Sequence, residues 1–250
     1  MLRTAKSLVK RVLPKPIKSK ISNALTVRNA MKPIASRTCN ICNYDGMFHC
    51  FGRPLRLDAE CPECGSLERH RLFMLAMERG ELIDGTIKDP SVLHFAPERI
   101  IEAFCREKFA EYTTADLFAG ADLKLNMEDI DLPDERFDVV IANHVLEHLD
   151  DKKAAREISR ILKTGGVFLC QVPIIEGWDT TYENKDVQSE HARWVHYGQG
   201  DHVRYYGRDF RERISQGDLK LAREVTSEGN EVIKHGLRRG EKVFVFQKVV

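Results

Sequence analysis

The sequence predicts an α/β fold: a doubly wound, mostly parallel sheet of seven strands with a small N-terminal metal-binding module. Three observations carry that prediction. Beyond Ser66, short apolar runs alternate with helical patterns as far as the C-terminus, the rhythm of strands joined by crossover helices. Before Ser66, two CxxC pairs stand in "CNICNYDGMFHC" and "ECPECGSLERHR". Between them and the C-terminus, "SVLHFAPERI" runs from an apolar strand into a helix, the junction at which α/β proteins hold nucleotides.

The strands are expected at Ser91–Phe95, Tyr112–Ala115, Leu123–Leu125, Phe137–Ala142, Val167–Val172, Leu219–Glu224 and Lys242–Lys248. Helices fall near Glu98–Lys108, Asp151–Leu162 and Arg208–Ser215, and an earlier helical pattern runs from Ser66 through Leu67, Leu72, Leu75 and Ala76 to Gly80. The link "SEGNEVIKHGLRRGE" between the last two strands is short, which suits an antiparallel hairpin at the sheet edge. Cys105 and Cys170 lie on apolar faces and read as core.

Charge is unevenly spread. Residues 1–37 carry ten Lys or Arg and no acid, which leaves 29 basic against 38 acidic residues, a net of −9, for the remainder. So acidic a body is a poor general ligand for phosphate backbones, and attraction to RNA or to an anionic membrane falls to the arm. The arm has two amphipathic patterns, Leu2, Ala5, Val9, Val12 and Ile17, Ile21, Ala24, Leu25, interrupted by the prolines of "LPKPI". Peripheral membrane contact, a solvated tail and an organelle-targeting peptide are the three readings of it. No apolar run approaches the ~20 residues of a membrane span, and no signal-peptide core is seen, so the expected location is the cytoplasm, with membrane association through the arm as a variant.

In a reducing compartment paired cysteines are metal ligands rather than disulfides. Cys39, Cys42, Cys61 and Cys64 therefore form the expected zinc site, with Cys50 as a substitute ligand and His70 as another, though His70 fits the following helix better. Four thiolates leave no open position, so the zinc is structural. The chain divides on this reading into a basic arm (1–37), a zinc-ribbon-like module (38–66) and a main domain (67–250).

Asp116 ends "YTTAD" about 20 residues past the first strand-helix loop, the distance at which an acid holds a ribose in doubly wound sheets. "FDVVIANHVLEHLDD" and "ILKTGGVFLCQVP" then bring a resemblance: the chain, from about residue 89 to its end, resembles the class I S-adenosylmethionine-dependent methyltransferases of the type 11-like group. Phe137, Asp138 and Val140 match its FDxV, Leu146 to Leu149 its LEHL, and Lys163, Gly165 and Gly166 its turn into the fifth strand. The resemblance implies a Rossmann-like domain that binds S-adenosylmethionine. It gives Asp116 with Leu117 the ribose, and places Asn126 and Met127 beside the adenine, where the family usually has an aspartate at the Asn126 position. Asn143 falls near the methionine half through its backbone. The first loop has no glycine, but a sulfonium cofactor has no pyrophosphate to be passed closely. His94, Phe95, Ala96, Pro97 and Glu98 are accordingly expected around the methionine chain, with Pro97 presetting the first helical turn.

The segment from Glu176 to Phe210 holds both tryptophans and four of the six tyrosines. Following a strand at the carboxyl face, it is expected to cap an acceptor pocket with aromatic walls. Its "GQGDHVRYYGRDF", together with "CPECGSLERHR", resembles a bacterial subgroup of these methyltransferases. His144, Asp201 and His202 are the candidate bases and Arg204 the candidate anchor for an anionic substrate. His148 sits in a helix-start pattern and reads as structural. A small-molecule or saccharide acceptor is the first expectation. An RNA methyltransferase using the module and arm, and a noncatalytic scaffold with a closed cofactor site, are the rivals.

Overall fold

The computed structural model describes residues 14–249. The arm's first amphipathic pattern lies outside them. The second forms helix α1 (Lys15–Ala30), which starts behind Pro14 and buries none of its side chains. Ile17, Ile21 and Leu25 stay exposed along it. No helix among the described residues is long and apolar enough to cross a membrane.

Two short hairpins follow. Strand β1 (Ser36–Thr38) pairs antiparallel with β2 (Asp45–Met47), and β3 (His49–Phe51) with β4 (Arg56–Glu60). Their core is Phe48 between Cys39 and Cys61. So small an apolar cluster cannot offset the entropy of ordering two hairpins, which leaves that task to the cysteines and to the neighbouring domain.

The remaining elements are α2 (Glu68–Glu78), β5 (Ser91–Phe95), α3 (Arg99–Lys108), β6 (Glu111–Asp116), β7 (Leu123–Lys124), β8 (Phe137–Asn143), α4 (Asp151–Ile161), β9 (Leu162–Gln171), β10 (Tyr182–Glu183), α5 (Glu190–Tyr197), β11 (Arg204–Tyr205), α6 (Phe210–Ile214), β12 (Leu219–Val225), α7 (Gly229–Lys234) and β13 (Val243–Lys248). Seven of the strands make one sheet in the order β12-β13-β9-β8-β5-β6-β7. Strands β9, β8, β5, β6 and β7 run parallel, while β13 is antiparallel to both its neighbours. The doubly wound sheet of the sequence reading is thus observed. Alternate residues of each strand feed two cores. Leu93, Val140, Phe168 and Phe246 meet α4 and α6 on one face, whereas Val92, Ile141, Leu169 and Val245 meet α2, α3 and α7 on the other.

Two local expectations are corrected. Strand β9 begins at Leu162, not Val167, because the ladder with β8 reaches back through the turn. Gly166 makes that closeness tolerable, since a Cβ there would stand 2.9 Å from the Asp138 carbonyl oxygen. The link between β12 and β13 is antiparallel as expected but is no plain hairpin: it contains α7 and leans on the cysteine module.

Arg71 forms that junction from α2. Its guanidinium donates to the carbonyls of Ser66 and Ala59 on the module side and of His235 and Gly236 on the α7 side, with its face over the Phe48 ring at 4.6 Å. His235 adds a 2.7 Å bond from Nδ1 to the Thr38 carbonyl. A fully buried arginine is retained because each of its donors has an acceptor.

Candidate active site

The strand order reverses beside β5, whose neighbours are β6 and β8, and in open α/β sheets ligands bind beyond the carboxyl ends at such a switch point. Phe95 stands level with Ala142, and Ala142 with Cys170. One residue further, Ala96, Asn143 and Gln171 therefore line the rim. Ala96 has φ +46°, and its amide donates to the Ala115 carbonyl at 2.8 Å. The glycine-free loop takes the left-handed turn that glycine gives elsewhere, at a cost of about 1 kcal/mol for the extra methyl group.

Behind the loop is a buried polar cluster. His94 is fully buried; its Nδ1 lies 2.7 Å from the Tyr112 hydroxyl and its Nε2 has no partner. Asn143, 3% exposed, has both side-chain amide atoms unpartnered, and Gln171 has its Oε1 unpartnered. Glu98 accepts from Arg69 Nε and His70 Nε2 through Oε1, each at 2.7 Å, and leaves Oε2 buried and free. Burial pushes the Glu98 carboxyl up, but the hydrogen bond from His70 and the charge of Arg69 more than offset it and hold the group at about 2. Burial lowers His94 to about 4 against the opposing pull of Glu98, so at neutral pH it is an uncharged imidazole. Unsatisfied buried polar groups cost about 1–3 kcal/mol each. Several at one strand-end rim fit a place where a polar, amino-acid-like ligand supplies the missing partners.

Sequence reasoning gave this role to the backbone of residues 94–98. The structure shows Phe95 to be core and half of Glu98's charge to be taken by Arg69 and His70. Those two residues went unrecognised as neighbours of the loop, because α2 lies far before it in the chain. His70 is also removed from the metal ligands: its Nδ1 accepts from Leu67 N at 3.1 Å.

At the neighbouring strand end, Asp116 accepts from Phe118 N at 2.8 Å with Oδ1. Leu117 and Phe118 beside it are 54% and 74% exposed, a bare apolar ledge next to a carboxylate, and Phe118 was not anticipated. Asn126 is exposed, and its Oδ1 accepts from Glu128 N at 3.0 Å, so it already caps a turn. Met127 is buried in the α4 core instead of being open to a base.

The candidate catalytic residues sort differently from the expectation. His144 has φ +54° directly after β8, and the 3₁₀ turn Leu146–His148 follows. Glu147 is fully buried, with Oε1 3.3 Å from His144 Nδ1 and 4.0 Å from His202 Nε2. His148 is no isolated helix-start residue: its Nδ1 lies 3.5 Å from Asp201 Oδ2 and its ring meets His202 edge-on at 4.8 Å. His144, Asp201 and His202 are thus brought together, around a carboxylate not foreseen as their centre. Arg204 lines the neighbouring pocket, with its Nε and Nη1 already engaged. It donates to the Leu146 and Leu149 carbonyls and to Glu183, bracing the loop.

Beside this cluster opens a pocket of about 730 Å³ lined by His148, Asp150, Glu183, Asn184, Arg193 and Arg213, among others. Its walls are charged and aliphatic, contrary to the expected aromatic ones. Trp178, Tyr182, Tyr197 and Tyr205 meet mainly one another, edge-on or tilted, with ring centroids 5.7–6.4 Å apart.

The cysteine module passes a geometric test for zinc. Cys39 Sγ and Cys64 Sγ are 3.7 Å apart, and Cys42 Sγ and Cys61 Sγ 3.6 Å. A tetrahedron with Zn–S bonds of about 2.3 Å has edges of about 3.8 Å. Burial raises the Cys39 thiol, but the Ser66 hydroxyl and the Cys42 and Ile41 amides bring it down to about 7, whereas burial pushes Cys42 up to about 12 and Cys61 above its ordinary value. Cys50 lies outside the group of four.

An inserted antiparallel strand beside a parallel set and a carboxylate after the second parallel strand define the class I, S-adenosylmethionine-dependent methyltransferase fold. Residues 97–170 match the model of the family described as Methyltransferase domain (Methyltransf_11), the segment that runs from the first strand-end loop through the parallel strands to β9. Among solved structures it is similar to the [4+2]-cyclase SpnF (12% identity, 77% of this chain and 86% of that one, TM-score 0.53). It is also similar to Burkholderia thailandensis 1,6-didemethyltoxoflavin-N1-methyltransferase (17%, 73% and 79%, 0.47) and to an S-adenosylmethionine-dependent methyltransferase from Mesorhizobium loti (12%, 64% and 93%, 0.45). At such identities the likeness is one of fold. No curated protein matches the sequence.

Proposed function

We propose that the protein transfers a methyl group from S-adenosylmethionine to a small-molecule or sugar-like acceptor held in the pocket beside His148. The observation that carries the acceptor class is the pocket itself. A volume of about 730 Å³ lies within the roughly 300–1,000 Å³ of small-molecule sites. Arg193, Arg213, Lys152 and Lys185 in its wall are set against Glu128, Asp150, Asp151 and Glu183, a near balance that does not favour a polyanion.

The reaction needs alignment more than activation. An acceptor oxygen or nitrogen attacks the methyl carbon in line, the sulfonium leaves as a neutral thioether, and the acceptor's proton passes to a base. Of the imidazoles gathered at Glu147, His144 has Nδ1 3.3 Å from that carboxyl and an unpartnered Nε2, and it is the candidate to take that proton. Asp116 holds the ribose hydroxyls, and the polar rim of His94, Glu98 and Asn143 meets the methionine end.

The test has two arms. Calorimetry should show S-adenosylmethionine binding that Asp116→Ala weakens at least about tenfold, the equivalent of one lost hydrogen bond to a charged group. No binding to the wild type would instead favour a noncatalytic scaffold. Labelled methyl groups should then pass into the small-metabolite or saccharide fraction of a cell extract. Label in RNA alone would overturn the acceptor class.

A further inference from the structure

Among the described residues, one more group of side chains away from the cysteines gathers metal-binding atoms. Glu147, His148 and His202 each bring one such atom within 4.8 Å of the others. We propose that these three residues form a second metal site, for a divalent first-row transition cation, and that the site opens into the acceptor pocket. The donor set, two imidazoles and one carboxylate, suits zinc, iron, nickel or manganese better than magnesium or calcium.

Burial supplies the second observation. Glu147 is 0% exposed and its Oε2 has no partner, while His202 Nδ1 and His144 Nε2 are buried and unpartnered as well. The side chains that face this fully buried carboxyl are imidazoles, with His144 Nδ1 at 3.3 Å and His202 Nε2 at 4.0 Å from Oε1, an arrangement that a cation completes. Asp201 lies beside His148 Nδ1, at 3.3 Å through its carbonyl oxygen and 3.5 Å through Oδ2, where outer-sphere oxygens commonly orient a ligating imidazole. The left-handed His144 turns the chain sharply out of β8 and so presents Glu147 and His148 together. Ligands at about 2.1 Å from one ion stand about 3.4 Å apart in a tetrahedron, so binding draws the three inward from their present spread.

Three protein ligands leave a position open, as in catalytic rather than structural sites. His148 lines the acceptor pocket, so a hydroxyl or carboxylate of the acceptor can take that position. A metal there would acidify a bound hydroxyl and fix its oxygen for attack. This role rests on the proposed methyl transfer; the metal site itself does not.

Cobalt(II) is the probe. The full chain, stripped with a chelator and titrated with Co²⁺, should bind two equivalents, one with thiolate-to-metal charge-transfer absorption and one without. His148→Ala and His202→Ala should each reduce binding to one equivalent and leave the thiolate absorption intact. The His148 side chain is 28% exposed, so its loss spares the core. Saturation of the wild type at one equivalent, or survival of the second in both variants, overturns the proposal. Cofactor calorimetry on the stripped chain reads the methyltransferase assignment separately.

Discussion

Among the described residues, potential metal ligands cluster in two places, and the two clusters are built in opposite ways. In the N-terminal module four cysteines come from two tight turns, with only a small apolar cluster of Phe48, Ile41 and Tyr44 packed against them. In the catalytic domain a glutamate and two histidines come from a strand-end turn and from a distant loop, seated on a complete seven-stranded core. The first must hold its own fold together; the second is held in place by a fold that stands without it. Ligand removal should therefore unfold one and merely empty the other.

The largest effect is expected at Cys61, a fully buried ligand. Structural zinc in small finger peptides contributes about 10–16 kcal/mol of apparent folding energy, so Cys61→Ser should lose the thiolate-bound metal and lower the thermal midpoint of the whole chain by many degrees. Calorimetry and metal analysis on the same sample check it. By contrast, His148→Ala should leave the midpoint within a degree or two, since a partly exposed side chain outside the core carries little stability. A small shift for Cys61→Ser would dissolve the contrast.

Next is the coupling between the two regions. Arg71 donates to four backbone carbonyls on both sides of the junction. Arg71→Met keeps most of the volume but strands those acceptors. With charge-assisted bonds worth about 1.5–3 kcal/mol each and partly replaceable by water, the cost should reach about 4 kcal/mol in urea unfolding. The wild type is expected to unfold in one step, and separate unfolding of module and domain in the variant would sharpen the picture of Arg71 as their bolt.

The same contrast governs what could be read before the structure was seen. CxxC spacing is a local signal because its four ligands are two near neighbours twice over. Strand positions were legible for a similar reason: apolar runs such as Val92–Phe95 and Val139–Ala142 announce burial within a few residues. The histidine-carboxylate centre was half visible in "HVLEH", where His144, Glu147 and His148 stand together. His202 joins them only because the loop before β11 folds back, its Val203 amide bonding the Glu147 carbonyl at 3.0 Å. Arg69 and His70 were missed for the same cause, since only the packing of α2 brings them to Glu98. The aromatic residues, which pack mainly on one another, were placed in a pocket wall because composition does not tell whether a side chain's partners are other residues or a ligand.

A smaller effect reports on the cofactor rim. His94 is held at about 4, below its ordinary 6.5, so between those values the unfolded chain binds a proton that the folded chain refuses. Its contribution to stability is complete above pH 6.5 and is lost as pH falls toward 4. Glu98, held at about 2 against an ordinary 4.5, contributes above pH 4.5 and loses that contribution as pH falls toward 2. From pH 7.5 to 5 the His94 part alone amounts to about 2 kcal/mol. His94→Gln should flatten the stability profile across that window and leave the loss below pH 4.5 in place. Urea midpoints at several pH values would show an unchanged slope if His94 were not the group responsible.

The smallest effect tests the loop that has no glycine. Ala96 holds a left-handed backbone at φ +46°, where a β-carbon is strained, while glycine gives up more backbone entropy on folding. Release of strain of about 1 kcal/mol is therefore offset in part, and Ala96→Gly should change stability by less than about 1 kcal/mol, with cofactor affinity retained. Ala96→Val adds branching at the same strained position and should destabilise the fold as well as weaken S-adenosylmethionine binding. If valine were tolerated at full affinity, the left-handed turn would not be what shapes the loop for the methionine chain, and the rim would have to be built by Asn143 and Gln171 alone.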